Sequence, residues 1–374
     1  MDFGVAFASS TESWRAAKRA EALGFKFAWF YDTQLLNPDV FVCMALAARE
    51  TKKIRLGTGV LIPSNRLSPV AANGLATLNK LAPGRIDFGV GTGFTGRRTM
   101  GQGAIKLGEF ERYISEVQGL LRGETVPALL EGETKKIRFL NPDFGLINLK
   151  SKIPLHISAF GPKARALVAK FGAGWQFFSG SVGPAVASLR DMQKTWSEAG
   201  RREKLYATCY TLGCVLRPGE KANSKRAIAQ AGPMAAVFFH DLVERGTLGE
   251  LLPGMPPALS AAVEQYRKIY EQYEPADAKW LAVHRGHLMF VRPEERPFMT
   301  SEMLEGFTFT GTPDVLRGRV EELRDAGYSQ FVVQLVEGEE DALEDWAKVL
   351  GPLGLKKGGA KKKAAAKKTT KRKR

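Results

Sequence analysis

The sequence predicts a (β/α)8 barrel, an α/β fold of parallel strands each followed by a helix. Three observations carry this. Eight short apolar runs recur along the chain, separated mainly by segments with helical spacing. The third and fourth runs each end in glycine, followed by a loop of small and polar residues. Two stretches, about 125–152 and 220–305, interrupt the rhythm and read as insertions between barrel units. Alternating strands and helices argue for parallel βα units, and eight of them suit a closed barrel. An open doubly wound sheet is the architectural rival.

In chain order, Phe3–Phe7 reads as the first strand. Ser9 with Glu12 three residues on reads as a capping box; Trp14, Ala17, Ala20 and Leu23 then lie at helical spacing, and Gly24 ends the helix. Phe25–Tyr31 is the second strand and runs into Asp32-Thr33-Gln34. A helix over Asp39–Thr51 leads to the third strand, Ile54–Thr58. Pro69–Leu81 is helical and closes at Pro83-Gly84; Ile86–Gly91 is the fourth strand and Leu107–Leu121 the next helix. The first insertion carries Lys135–Leu140 and Leu146–Leu149 and reads as a hairpin. Pro154–Ser158 is the fifth strand, Pro162–Phe171 a helix ended by Gly172, and Trp175–Phe178 the sixth strand. Ala185–Ala199 is helical, and Leu205–Leu216 is a long seventh strand. The second insertion is mostly helical, with breaks near Gly254 and Pro256. Thr312-Pro313 opens a helix with a cap and an N1 proline; Leu316, Val320 and Leu323 line one face and Gly327 ends it. Gln330–Val336 is the eighth strand, and Asp341–Leu350 the last helix. Residues 1–351 are thus expected to form the barrel.

Residues 352–374 are different. The last twenty residues hold eleven Lys/Arg and no acid, and taking these from the net charge of +16 leaves +5 for the rest. With no apolar period, this Lys/Ala-rich tail is expected to be disordered. Its charge attracts polyanions, nucleic acid included, although it has no aromatic residue for base stacking. No apolar window is long enough to span a membrane, and the N-terminal MDFGVAF is no signal peptide, so a cytoplasmic protein is expected. Cys43, Cys209 and Cys214 lie in apolar stretches without metal spacing and read as reduced core thiols.

Several motifs together resemble the bacterial luciferase-like superfamily of flavin- or deazaflavin-dependent oxidoreductases. They are Leu56-Gly57-Thr58-Gly59-Val60, Leu81-Ala82-Pro83-Gly84-Arg85 and Gly89-Val90-Gly91-Thr92-Gly93. Further on come Ile157-Ser158-Ala159-Phe160-Gly161-Pro162-Lys163-Ala164, then Gly172-Ala173-Gly174-Trp175 and Gly311-Thr312-Pro313. The match runs in family order from residue 1 to about 350. It implies a homodimeric barrel acting on a small organic substrate, with FMN or a deazaflavin coenzyme held at the C-terminal ends of the strands. It also implies a non-proline cis peptide after the third strand, at the position of Gly59-Val60.

The residues at those strand ends take on roles from this resemblance. Gly91, Thr92 and Gly93 are read as neighbours of the cofactor ring, since glycine lets a ring approach the backbone closely; a plain tight turn is the alternative. Arg97, or Arg98 beside it, suits a phosphate on the cofactor tail, against a pair of solvated arginines. Ser158, Ala159 and Gly161 precede one helix, and Ser179, Gly180 and Ser181 precede the next. Paired helix N-termini make an anion site, against simple N-capping by serine. Gln34 stands where several family members place a histidine, and it cannot act as an acid near neutral pH. Asp32 is read as capping the segment that follows.

Gln34 and His240 are therefore the only catalytic candidates, and both are weak. His156 reads as a barrel-interior histidine. His284 and His287 form an H-x-x-H that lacks further ligands nearby, so no metal site is expected. The second insertion, with Met234, Phe238, Phe239, Met289 and Phe290, reads either as a lid over the substrate or as ordinary core. The leading expectation is a flavin-dependent oxidoreductase or monooxygenase, with a methylenetetrahydromethanopterin reductase-like, deazaflavin-dependent enzyme as the alternative. A nucleic-acid-associated protein and a non-catalytic flavin-binding protein are the readings from other classes.

Overall fold

Eight parallel strands close on themselves in a computed structural model that describes residues 1–245 and 257–356. They are β1 (Asp2–Phe7), β2 (Phe27–Phe30), β3 (Arg55–Thr58), β4 (Ile86–Val90), β7 (Leu155–Ser158), β8 (Gly174–Phe178), β9 (Ala207–Thr211) and β10 (Gln330–Leu335). The order around the barrel is β1-β10-β9-β8-β7-β4-β3-β2. The (β/α)8 expectation holds, and the open sheet is excluded by the parallel pairing of β1 with β10. The hairpin is also present, as β5 (Val126–Leu130) against β6 (Glu133–Ile137).

The barrel wall alternates as a parallel sheet covered by helices must. On β2, Ala28 and Phe30 face outward into the main core, where they meet α1 (Ser13–Leu23) and α2 (Val40–Glu50). Phe27, Trp29 and Tyr31 face inward with Ala6, Tyr210 and Val332. Trp29 is fully buried and lies flat against Phe27, with the ring centroids 5.8 Å apart. It fits because the neighbouring β3 position is Gly57, where an added Cβ would stand 2.3 Å from the indole. The interior is also polar. Asp87 accepts from Arg55 Nε at 2.8 Å and lies 3.1 Å from His156 Nε2, which places His156 inside the barrel as expected.

Two elements differ from the sequence reading. Ser9 does not cap α1; its hydroxyl donates to the Tyr31 carbonyl at 2.8 Å, a buried bond between strand ends. The helix instead starts at Ser13, whose Oγ accepts from Ser10 N at 2.9 Å. The seventh strand ends at Thr211 rather than Leu216. Residues beyond it leave the barrel and pair with the chain returning from the insertion: Phe309 N donates to Leu212 O, and Leu216 N to Gly311 O. An extended apolar run has two possible partners here, and the sequence does not say where it changes.

The second insertion lies between β9 and α12 (Pro313–Ala326). It contributes α8 (Lys225–Arg245), α9 (Pro257–Glu271), α10 (Trp280–Val283) and α11 (Ser301–Phe307). These pack a core of their own around Phe239, Tyr266 and Phe298. The expected breaks at Gly254 and Pro256, and the tail from residue 357 on, lie outside the described residues.

Candidate functional site

The C-terminal ends of β3, β4, β7 and β8 are neighbours in the wall. They bring the predicted cofactor residues to one side of the mouth. Gly59-Val60 is a cis peptide, as the resemblance implied. The loop that carries it is held by its own backbone: Gly59 N donates to Phe30 O at 2.7 Å and Leu61 N to Gly89 O at 2.8 Å. Beside it, Gly91 must lack a side chain, because an added Cβ would stand 2.6 Å from Val60 Cγ2 and 3.4 Å from Ser158 Cβ. Three strand ends thus meet at one bare stretch of backbone. Thr92 is half-buried, and its carbonyl accepts from Ile105 N. Gly93 takes φ +82°, in the left-handed region, and starts the short helix α4 (Phe94–Arg98).

Two longer helices point their N-termini toward this side. Gly161 caps α6 (Pro162–Phe171) and Ser181 caps α7 (Val182–Glu198), and neither cap makes a side-chain hydrogen bond to its helix. Serine N-capping is therefore not the use made of Ser181. Its neighbour Ser179 donates instead to the Ser181 carbonyl at 2.8 Å. The first-turn amides of both helices are left without side-chain partners, the arrangement that suits an anion. Ala159 is buried and its carbonyl accepts from the Trp175 indole. Gly180 is required by the insertion, since a Cβ there would strike the Phe307 carbonyl at 1.9 Å.

The two arginines divide. Arg98 turns to the insertion, pairing with Asp241 at 3.1 Å and Glu244 at 3.0 Å and stacking on Phe94. Its charge is thus already matched by two carboxylates. Arg97 is half-buried, with its Nε donating to Gly103 O.

Gln34 is a tie between loops. Its amide nitrogen donates to Gly96 O, and its oxygen accepts from Asn65 Nδ2 at 2.7 Å. Asp32 does the same at larger scale. It takes Arg66 Nη1 at 2.7 Å and accepts from Ile62 N and Asn65 Nδ2, so the end of β2 fixes the loop after β3. Asp32 does not cap the segment that follows it. Arg66, which the sequence reading did not single out, is the cation that makes this possible.

The insertion closes over the centre of the mouth. Gln334 on β10 donates to Leu288 O at 2.7 Å and accepts from the Tyr31 hydroxyl at 3.1 Å. Two cavities, of about 370 Å³ and about 310 Å³, flank the end of β10. The first is lined by Phe7, Ser13, Arg19 and Glu340, the second by Lys225, Met289 and Glu339. Neither touches Gly91 or Ser158. At the glycine side, bare strand-end backbone and helix N-termini without side-chain caps lie together.

His240 lies inside the insertion rather than at the glycine cradle. Its Nε2 is 2.6 Å from Glu295 Oε1. Glu295 also accepts from Arg292 Nε at 3.0 Å, and Arg292 Nη2 donates to the Tyr266 hydroxyl at 2.8 Å. Burial disfavours the Glu295 charge, yet His240 and Arg292 hold its carboxyl at about 2. Burial also lowers His240, against the pull of Glu295. The fold brings His284 and His287 to the same place, with ring centroids 6.4 Å and 5.9 Å from that of His240. The H-x-x-H spacing alone offered two ligands; the third comes from a helix far away in sequence.

Comparison with known proteins places the chain in a family and supports the fold. The profile of the luciferase-like monooxygenase family matches residues 8–330. A 5,10-methylenetetrahydromethanopterin reductase of Methanolobus tindarius is 26% identical over 344 residues, covering 89% of this chain and 93% of the relative. Among solved structures, the coenzyme F420-dependent tetrahydromethanopterin reductase of Methanopyrus kandleri superposes with a TM-score of 0.63 at 21% identity, over 94% of this chain and 99% of that one. The oxygenating constituent of 3,6-diketocamphane monooxygenase from Pseudomonas putida, a type II Baeyer–Villiger monooxygenase in complex with FMN, superposes with a TM-score of 0.61. It is 12% identical and covers 94% and 98% of the two chains.

Proposed function

The chain belongs to the luciferase-like monooxygenase family, and from that premise we propose that it is an oxidoreductase working with FMN or an F420-type deazaflavin on a small organic molecule. One observation carries the placement of the cofactor. A Cβ at Gly91 would meet both Val60 and Ser158, so the backbone there is bare, beside the uncapped N-termini of α6 and α7. A flavin or deazaflavin bound there supplies a ring that accepts and donates hydride. The protein's part is to bind, orient and exclude water. Gly59, Val60, Gly91, Thr92 and Gly93 provide backbone against which a planar ring can lie. Ser158, Gly161, Ser179, Gly180 and Ser181 bring amides and hydroxyls to a phosphate, with Arg97 at the rim. Gln34 and Asp32 keep the loops in place and move no proton.

The deazaflavin form has specific support. The Methanolobus relative is a methylenetetrahydromethanopterin reductase, and the Methanopyrus structure is that of an F420-dependent reductase. Titration of the full-length protein with FMN and with the deazaflavin, followed by absorbance and fluorescence, separates the two. One of them should bind at one equivalent per chain, and Gly91→Ala should weaken it at least tenfold. Failure to bind either sinks the reading. Oxygen consumption in the presence of the bound, reduced cofactor then separates a monooxygenase from a reductase.

The expected homodimer is supported by an uncovered apolar face. Val42 and Leu46 on α2, and Leu67 and Val70 at the start of α3 (Ser68–Leu81), are exposed. Light scattering should give twice the chain mass, and Val42→Glu with Val70→Glu should halve it. Residues 355–374 are proposed to add a non-specific hold on polyanions, which retention on heparin, weakened by salt and lost on truncation, would test. No helix among the described residues is long and apolar enough to cross a membrane; a cytoplasmic setting is proposed.

A further inference from the structure

Three buried histidines stand together in the insertion, outside the proposed cofactor cradle. His240 comes from α8, and His284 and His287 from the segment that follows α10. One nitrogen from each ring lies within 4.8 Å of those from the other two. All three side chains are more than nine-tenths buried. Such a cluster is costly unless the rings have partners, since neutral imidazole offers one donor and one acceptor nitrogen.

An oxygen lies near Nε2 of each ring. His240 Nε2 is 2.6 Å from Glu295 Oε1, His284 Nε2 is 2.9 Å from Glu244 Oε1, and His287 Nε2 is 3.2 Å from Thr95 Oγ1. Nδ1 of each of the three rings makes no hydrogen bond, and neither does Nε2 of His284, which approaches Glu244 only as an ion pair. The carboxylates are themselves anchored: Glu295 by Arg292, and Glu244 by Arg98. This is the outer arrangement of a histidine metal site. In such a site a ligating ring gives its far N–H to an oxygen, which sets its tautomer and leaves the other nitrogen for the ion; His240 and His287 have an oxygen at hydrogen-bond distance, and His284 has Glu244 at ion-pair distance.

We propose that His240, His284 and His287 bind one divalent cation of the zinc class. Imidazole suits this class, and three histidines with one further position make a four-coordinate set. Zinc–nitrogen bonds of about 2.0 Å in a tetrahedral set put ligand nitrogens about 3.3 Å apart, so a separation of up to 4.8 Å requires a modest inward movement of the rings. The ion joins α8 to the segment around His284 and His287. Through the His287–Thr95 contact it also joins both to α4, which follows the β4 glycines. Next to His287, Leu288 already sits against Gln334 at the barrel mouth. The metal therefore fixes the lid in register with the cofactor side.

The test uses untagged full-length protein, stripped with a chelator and dialysed into metal-free buffer. Zn²⁺ titration against a chromophoric chelator should show one equivalent per chain. Co²⁺ should give the visible absorption of a four-coordinate site. His240→Gln, His284→Gln and His287→Gln should each lower Zn²⁺ affinity at least 100-fold, and Glu244→Gln by 10- to 100-fold. His156→Gln, in the barrel interior, should leave it unchanged. Circular dichroism shows which variants remain folded. If they do not, X-ray absorption on the wild-type Zn²⁺ complex still decides: three imidazole ligands support the site, and oxygen-only coordination overturns it. Absence of stoichiometric binding, or binding retained in the folded triple variant, also overturns it. The FMN and deazaflavin titration stands apart, so either result can fail alone.

Discussion

The barrel and the insertion bury polar groups in different ways. Inside the barrel, the polar side chains are mostly neutral or shared between neighbouring strands. Thr208 donates to Gln330, Gln176 donates to Tyr210, and Asp87 bridges β3 and β7 through Arg55 and His156. In the insertion, one network gathers Arg292, Glu295, His240 and Tyr266 from separate helices and turns. The barrel's polar pairs follow from strand register, so any parallel barrel of this sequence makes them. The insertion's network depends on segments that share no register, and it holds them where apolar packing alone leaves the arrangement open. The barrel and the insertion are thus held together by different means in one chain.

The largest effect that tests this contrast comes from the barrel. Trp29 is fully buried against Phe27, Tyr210 and His156. Trp29→Ala removes most of that packing and should cost about 4 kcal/mol. The loss should be global: denaturant unfolding followed by fluorescence and by circular dichroism should shift together. A change below about 1 kcal/mol would mean the interior can collapse around the gap, and that the scaffold is looser than its register suggests.

Next is Glu295→Gln. It keeps the shape but removes the buried carboxylate nearest the Arg292 guanidinium, leaving only the more exposed Glu294 at 3.4 Å, which should cost about 3 kcal/mol. Here the loss should be local. Hydrogen exchange should speed up in α8, α9 and the turns near Arg292, while amides of β1, β9 and β10 keep their protection. Equal loss of protection in the barrel strands would break the contrast, because the two cores would then open as one.

The same contrast explains what could be read from the sequence. The strands and helices of the barrel were legible because their signals are local. Asp39 and Thr51 bracket α2 as cap residues, and α5 (Leu107–Leu121) and α6 fall at their expected bounds. Gly59-Val60 was legible only through the family motif, since nothing in the residues between Leu56 and Leu61 demands that backbone. Ser9 misled because a serine before a helix has two uses, and the Tyr31 carbonyl, far along the chain, claimed its hydroxyl. The overrun of the seventh strand has the same cause: Leu212 and Cys214 are paired by residues returning from the insertion. The histidine cluster was illegible because His240 is remote from His284 and His287, and no periodicity links them. Of the two neighbouring arginines, the choice of Arg97 over Arg98 has a physical reason that only the fold supplies, since it brings Asp241 and Glu244 to Arg98.

The three thiols offer the finest test, because they report on the two regions separately. Cys43 and Cys209 lie in the barrel core and Cys214 in the core of the insertion. Burial pushes Cys43 up to about 11 and both Cys209 and Cys214 up to about 12. A thiol whose folded pKa is raised contributes stability that is present below its unfolded pKa and lost as pH rises toward the folded value. Stability should therefore fall by about 1 kcal/mol for each of Cys209 and Cys214 between pH 8 and pH 10, checked by urea unfolding at the two pH values. Below that range the native thiols are protonated and shielded, so labelling must wait for opening. In the wild type all three should react slowly. In Glu295→Gln, Cys214 should react markedly faster while Cys43 and Cys209 keep their rates. If Cys209 accelerates equally, then the β9 strand that carries it opens with the insertion, and the boundary between scaffold and lid lies inside the barrel wall rather than at Leu212.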